Sequence, residues 1–65
     1  MQIFVNGDRQ EVDAKTLALA LAALGYGGKK IATAVNGQFV AAAARTDRAL
    51  SDGDRIEVVA PMQGG

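Results

Sequence analysis

The sequence predicts an α+β fold, a mixed sheet of four to five strands with one main helix across one face. Three observations indicate this fold. Short runs of alternating apolar and polar residues recur, two Asn-Gly pairs separate neighbouring runs, and one longer segment repeats its leucines and alanines with helical spacing. The chain of 65 residues has room for one domain, which we place at 1–60, followed by a flexible tail at 61–65.

The first hairpin is predicted at residues 1–12. Ile3 and Val5 share one side of the first strand, and Phe4 faces the other side. Asn6-Gly7 favours a type I′ turn, because both residue types tolerate a positive φ angle. The returning strand at 9–12 is polar, which indicates an edge position in the sheet.

The main helix is predicted to begin after Thr16, whose hydroxyl can cap it, and to end at Gly25, where a left-handed residue is favoured. Leu19 points away from the core-facing side, so it either packs against the following loop or contacts a partner. The residues on the core-facing side follow the spacing i, i+3, i+4 and i+7, and they are Leu17, Ala20, Leu21 and Leu24.

The second half of the chain predicts another hairpin, with strands at 31–35 and 38–40 joined by Asn36-Gly37. Residues 41–44 carry no pattern that predicts an element. Leu50 is predicted to anchor the core.

A tight turn at 52–54 precedes the last predicted strand, at 55–60, which Pro61 ends because proline has no N–H to donate. If this strand pairs in parallel with the first, the tail leaves the sheet near the Asn6-Gly7 turn. Its side chains alternate, with Ile56 and Val58 facing inward and Glu57 and Val59 facing outward. The predicted core therefore contains Ile3, Val5, Leu17, Leu21, Leu24, Ile31, Ile56 and Val58.

The composition excludes several classes of function. Without cysteine or histidine, the chain can form neither a disulfide nor a thiolate metal site, and imidazole catalysis is excluded. Seven basic residues balance seven acidic ones, so we expect no nucleic-acid partner. The loops at 26–30 and 52–54 lack the spacing of phosphate and calcium loops. No apolar run spans a bilayer and no signal-peptide pattern is present, so we expect a cytoplasmic location and no membrane contact.

The sequence ends on Gly64-Gly65. Glycine has the narrowest cross-section of all residues, and the five residues 61–65 span at most about 16–18 Å when extended. Such a tail suits delivery of its carboxylate, which is ionised at neutral pH, through a narrow channel into an enzyme's site. Attack on the α-phosphorus of ATP would make a mixed anhydride open to a sulfur or amine nucleophile. Without cysteine, any sulfur cargo has to be carried on Gly65; the alternative is a frayed end without a role.

Several stretches together resemble the ThiS family, the sulfur carriers of thiamine-thiazole biosynthesis within the β-grasp (ubiquitin-like) group. They are IATAVNG at 31–37, LSDGDRIEVV at 50–59, the helical TLALALAALG at 16–25 and the terminal MQGG. The resemblance covers nearly the whole chain and implies the β-grasp fold. Ala41, Ala42 and Arg45 depart from the family, in which many relatives have Pro-Arg and an aromatic residue.

The resemblance implies a carrier that is not itself an enzyme and binds no cofactor or metal. An E1-like (ThiF-like) adenylating enzyme would use ATP and magnesium to activate Gly65. A cysteine-derived persulfide would then supply sulfur for a thiocarboxylate, and a ThiG-like thiazole synthase would accept that sulfur. Gly64 would keep the backbone slim, and the threaded tail would consist of Pro61, Met62 and Gln63.

Phe4 and Val59 are predicted to lie outward on neighbouring strands, where they would form an apolar docking patch on a monomeric protein. Three alternatives stay open at this point. They are a MoaD-like small subunit of molybdopterin synthase, a passive β-grasp binding module, and a modifier joined to other proteins through an isopeptide bond.

Overall fold

The computed structural model describes residues 1–27 and 30–60. These residues form one mixed sheet of five strands in the order β2-β1-β5-β3-β4, together with one α-helix and one 3₁₀ helix. The α+β prediction is confirmed. The predicted tail at 61–65, the end of the last strand at Pro61 and the middle of the 26–30 loop lie outside the described residues. The elements are β1 (Gln2–Val5), β2 (Asp8–Glu11), α1 (Leu17–Ala23), β3 (Ala32–Val35), β4 (Gln38–Val40), the 3₁₀ helix (Ala42–Asp47) and β5 (Arg55–Val59).

The central strand of the sheet is β5, which runs parallel to β1 and antiparallel to β3. Phe4 lies opposite Arg55, and Val5 lies opposite Ile56. Since β1 and β5 run in the same direction, β5 ends at the edge of the sheet that holds the Asn6-Gly7 turn, as predicted. The polar strand β2 occupies an edge of the sheet, which confirms that prediction as well.

Both Asn-Gly pairs form the tight turns that the sequence predicts. The φ angles are 52° and 87° at Asn6 and Gly7, and 51° and 83° at Asn36 and Gly37. Two successive positive φ angles define the type I′ turn, whose twist matches that of the flanking strands. The two hairpins therefore follow from local sequence alone.

The helix α1 begins as predicted, because the Thr16 hydroxyl accepts a hydrogen bond from the Leu19 N–H at 3.3 Å. Past the C-terminal end, Gly25 takes a φ angle of 92°. Leu17, Ala20 and Leu21 are buried against the sheet, whereas Leu19 is 57% exposed on the solvent side. Within the described ranges, no helix has the length and hydropathy needed to cross a bilayer.

The core fills the space between α1 and the inner face of the sheet. Leu24 and Ile31, both predicted to be core residues, are only partly buried, because they lie just outside the ends of α1 and β3. The predicted anchor Leu50 is buried. The buried apolar residues are Ile3, Val5, Val12, Ala14, Leu17, Ala20, Leu21, Val35, Val40, Leu50, Ile56 and Val58.

The segment for which the sequence predicts no element forms the 3₁₀ helix, and Arg45 ties it to β3. The Arg45 Nε–H donates to the Thr33 hydroxyl at 3.0 Å, and its Nη2 donates to the Ile31 carbonyl at 2.7 Å. The Thr33 hydroxyl in turn donates to the Val40 carbonyl at 2.9 Å. These bonds satisfy a threonine that is only 2% exposed, so Arg45 has a packing role where the family resemblance implies an aromatic residue.

The predicted turn at 52–54 is confirmed. The Asp54 N–H donates to the Ser51 carbonyl at 3.1 Å, and Gly53 has a φ angle of 87°. The Ser51 N–H and the Asn36 Nδ2 both donate to the Asp54 carboxylate, at 2.8 and 3.0 Å. These hydrogen bonds, the one from Ser51 first, lower the pKa of Asp54 below its ordinary value. The ionised carboxylate thus closes the turn that leads into β5.

Candidate functional site

The tail predicted to carry the chemistry lies outside the described residues. It consists of Pro61, Met62, Gln63, Gly64 and the reactive Gly65. The structure describes the end of β5, from which the tail continues, and the sheet face around it. This region is the candidate site.

The end of β5 is hydrogen-bonded on both of its sides. On one side, β3 pairs with it as far as Ala32 opposite Val59. On the other side, β1 ends at Val5, and Asn6 continues the ladder with its backbone and its side chain. The Asn6 N–H donates to the Ile56 carbonyl at 2.9 Å, while the Asn6 carboxamide both donates to and accepts from Val58, at 3.1 and 2.9 Å.

The two outward residues predicted to form a docking patch are not adjacent. Phe4 is half-buried and lies opposite Arg55, whereas Val59 is 62% exposed and lies opposite Ala32. Four residue steps along β5 separate Arg55 from Val59, which corresponds to roughly 13 Å at about 3.3 Å per residue. The structure therefore places the apolar neighbours of Val59 on β3 rather than on β1.

The sequence analysis assigned no role to Phe39, which is 73% exposed on β4. Phe39 lies opposite Ala34, and Ala32 lies opposite Val59. Directly opposed residues in antiparallel strands share a face, so these four residues form one surface, which we call the apolar sheet patch. The alternation in Gln38-Phe39-Val40 was the available signal, since a buried Val40 requires an outward Phe39.

Charged residues separate the apolar sheet patch from Phe4. Arg55 and Glu57 are exposed on the outward side of β5, and an open groove of about 540 Å³ is lined by Phe4, Arg55 and Glu57 among others. In the part of the chain that the structure describes, no group of three or more acidic residues is arranged to hold a metal ion. An open groove beside an exposed apolar surface suits contact with another protein more than binding of a small ligand.

Comparisons with known proteins agree with this architecture. The model of the ThiS family matches residues 3–65. The chain is 38% identical over 63 residues to the sulfur carrier protein ThiS of Thermus thermophilus, covering 97% of this chain and 98% of that protein. The crystal structure of the thiamine biosynthesis protein ThiS from Geobacter metallireducens superposes with a TM-score of 0.77 at 30% identity, over 100% of both chains. A solution structure of a thiamine biosynthesis protein from the same organism has a TM-score of 0.77 at 28% identity, over 100% of this chain and 88% of the other.

Proposed function

Since the chain belongs to the ThiS family, we propose that it carries sulfur on the C-terminal carboxylate of Gly65 as a thiocarboxylate. The protein is a sulfur carrier of thiamine biosynthesis and not an enzyme, in agreement with the name of its Thermus relative. The observation that carries the proposal is the family match over residues 3–65, which includes the terminal Gly64-Gly65. This match favours the thiamine role over the MoaD-like and passive-module alternatives.

The first step is activation of the carboxylate by a ThiF-like (E1-like) adenylating enzyme with ATP and magnesium. An oxygen of the Gly65 carboxylate attacks the α-phosphorus of ATP, the bond to pyrophosphate breaks, and an acyl-adenylate forms. The carboxylate needs no general base, since an α-carboxyl group has a pKa of about 3.5 and is ionised at neutral pH. Adenylation turns a poor electrophile into an anhydride with AMP as its leaving group.

The second step replaces AMP with sulfur. The terminal sulfur of a cysteine-derived persulfide attacks the Gly65 carbonyl carbon, AMP leaves, and an acyl disulfide forms. A second thiol then reduces the S–S bond, which releases the thiocarboxylate and leaves a disulfide between the two thiols. The chain has no cysteine, so both thiols belong to partners or to small molecules. A ThiG-like thiazole synthase then accepts the sulfur.

Docking of the adenylating enzyme is assigned to the outward face of the sheet. The apolar sheet patch supports this assignment, because it combines two large exposed apolar side chains, Phe39 and Val59, with two alanines on the strand between them. Phe4 would lie at the periphery of that contact, beyond Arg55. In this arrangement the threaded residues Pro61, Met62 and Gln63 continue from the docked end of β5 toward the enzyme's site. A cytoplasmic monomer when free stays a prediction.

Intact-mass measurement tests the proposal. The protein is incubated with a ThiF-like enzyme, MgATP and a persulfide donor, and a mass gain equal to the exchange of one oxygen for one sulfur is expected. The control omits ATP and should show no gain. A chain without Gly65 should retain the circular dichroism spectrum of the wild type and gain no sulfur. Sulfur transfer by the shortened chain would show that Gly65 is not the carrier residue.

The accepting pathway is tested with the sulfur-loaded protein. Thiazole synthase with its other substrates should consume the thiocarboxylate, whereas the large subunit of molybdopterin synthase should leave it intact. Consumption by the large subunit alone would assign the chain to the MoaD-like alternative.

A further inference from the structure

The Asn6 side chain takes the place of a strand beside the last part of β5. β1 ends at Val5, opposite Ile56, and the chain then turns away through Gly7. Past that point the Asn6 Oδ1 accepts from the Val58 N–H at 2.9 Å, and the Asn6 Nδ2 donates to the Val58 carbonyl at 3.1 Å. One carboxamide thus reproduces the donor and the acceptor that a further residue of β1 would offer.

This pairing matters because Val58 is buried. Buried backbone groups without partners are strongly disfavoured, and both hydrogen bonds to Asn6 are partly buried. If the carboxamide were removed, the β1-facing N–H and carbonyl of Val58 would both lose their partner. The end of β5 would then be held by β3 alone.

The second Asn-Gly turn provides an internal comparison. Asn36 has nearly the same φ angle as Asn6, and its Oδ1 accepts from the Arg55 N–H at 2.9 Å. Its acceptor therefore holds the same strand at the N-terminal end of β5, while its Nδ2 donates to the Asp54 carboxylate instead of to a carbonyl of β5. Arg55 is the first residue of β5, while Val58 lies next to the last one, Val59.

We propose that Asn6 is a positioning residue for the sulfur-carrying terminus. Its carboxamide holds Val58 on the β1 side of β5, while β3 holds Val59 on the other side, and together they fix the point from which the chain leads to Gly65. The inference rests on the proposed function of Gly65 and adds to it a residue 59 positions away in the sequence. Asn6 does not contact the reacting carboxylate in this role; it acts through β5.

We call the chain between the last fixed position of β5 and Gly65 the tether, and the expected effect follows from its length. With the end of β5 held by β3 alone, Val58 and Val59 should leave the sheet more readily, and each released residue lengthens the tether by about 3.3 Å. A longer tether lowers the effective concentration of the carboxylate in the partner's site, and the released residues have to be ordered again for each reaction. Together these effects are expected to lower kcat for adenylation roughly three- to tenfold. The KM for the carrier should change less than kcat, because only Val59 of the apolar sheet patch is released, while Phe39, Ala34 and Ala32 stay in place.

The test compares Asn6→Gly with Asn36→Gly. Glycine accepts the positive φ angle of both turns, so each variant removes a carboxamide without straining the backbone. Amide hydrogen exchange, measured by NMR, reports separately on the hydrogen bond from the Val58 N–H to Asn6 and on the one from the Arg55 N–H to Asn36. In Asn6→Gly the Val58 amide should exchange about tenfold faster, since one hydrogen bond contributes roughly that factor. In Asn36→Gly the Arg55 amide should respond instead, while Val58 keeps its protection.

Pyrophosphate release by a ThiF-like enzyme then gives kcat and KM for the wild type and both variants. Only Asn6→Gly should show the fall in kcat. A second variant, Asn6→Asp, keeps an acceptor for the Val58 N–H but places a carboxylate oxygen against the Val58 carbonyl, which it repels. It should also lower both Val58 protection and kcat, and it serves if Asn6→Gly does not fold.

Three outcomes would overturn the inference. Unchanged Val58 exchange in Asn6→Gly would show that the carboxamide does not hold the strand. Faster Val58 exchange in Asn6→Gly, combined with the same kcat in Asn6→Gly and Asn36→Gly, would show that the enzyme does not depend on the hydrogen bonds between Asn6 and Val58. No adenylation of the wild type by any ThiF-like enzyme would overturn the proposed function, and the positioning role would fall with it.

Discussion

Phe39→Ala provides the sharpest test of the proposed docking face. Phe39 is 73% exposed on β4, and its ring lies on the face opposite the one that α1 covers. Truncation removes little that stabilises the folded chain, so the free energy of unfolding should change by less than about 0.5 kcal/mol. The substitution should instead lower the affinity for the adenylating enzyme.

The magnitude follows from the exposed area. A phenylalanine buries roughly 150–250 Å² when fully covered, so the exposed 73% leaves roughly 110–180 Å² for a partner. At about 25 cal/mol per Å² this area corresponds to an upper limit of about 3–4.5 kcal/mol. The cost of association offsets part of this binding energy. We expect Phe39→Ala to lose about half of the upper limit, which corresponds to an increase in Kd of about tenfold to fortyfold.

Leu19→Ala is the matched control. Leu19 is a large apolar residue with 57% exposure, but it lies on α1, away from the outward face of the sheet. Calorimetric titration of the adenylating enzyme without ATP gives Kd for each variant. Phe39→Ala should bind weakly while Leu19→Ala binds like the wild type. Binding of Phe39→Ala within twofold of the wild type, or an equal loss in Leu19→Ala, would refute the assignment of this face.

Three further predictions concern stability. Ile56 is 1% exposed, so Ile56→Ala should lower the free energy of unfolding, measured in denaturant, by about 2–5 kcal/mol. A loss below about 1 kcal/mol would contradict the central place of Ile56 in the core. Thr33→Val keeps the side-chain volume but removes the hydroxyl that bonds the Val40 carbonyl and the Arg45 Nε–H. The free energy of unfolding should fall by about 1–3 kcal/mol in the same assay. Unchanged stability would show that these hydrogen bonds make no net contribution. Because folding lowers the pKa of Asp54 below 3.8, its contribution is present above that pH and is lost as the pH falls through the folded pKa. Asp54→Asn should therefore flatten the acid side of a plot of Tm against pH, and an unchanged slope there would contradict this role.

Several features of the fold could be predicted because neighbouring residues decide them. The turns at Asn6-Gly7 and Asn36-Gly37 depend on residue types that tolerate positive φ angles, and both occur as predicted. The Thr16 cap needs only an N–H three residues away. The alternation in β5 fixes which of its side chains face the core, since strand side chains alternate without reference to distant parts of the chain.

Other features depend on partners that lie far apart in the sequence. Arg45 binds Thr33 and the Ile31 carbonyl across the end of β3, and no local pattern specifies a 3₁₀ helix at that segment. The sequence also predicts more burial for Leu24 and Ile31, at the ends of their elements, than the structure has, for a related reason. Periodicity gives the direction of a side chain, but how far the packed helix extends over it is decided by the tertiary structure.

The candidate site divides in the same way. The proposed chemistry was predicted from the sequence alone, because a chain without cysteine would have to carry a sulfur cargo on a group such as the Gly65 carboxylate. Only the tertiary structure decided which residues surround the origin of that tail. The strand register brings Val59 next to Ala32 rather than Phe4, and the parallel pairing of β1 with β5 brings Asn6 to Val58. Register and pairing are set by the packing of the whole core, so no local stretch of sequence contains them.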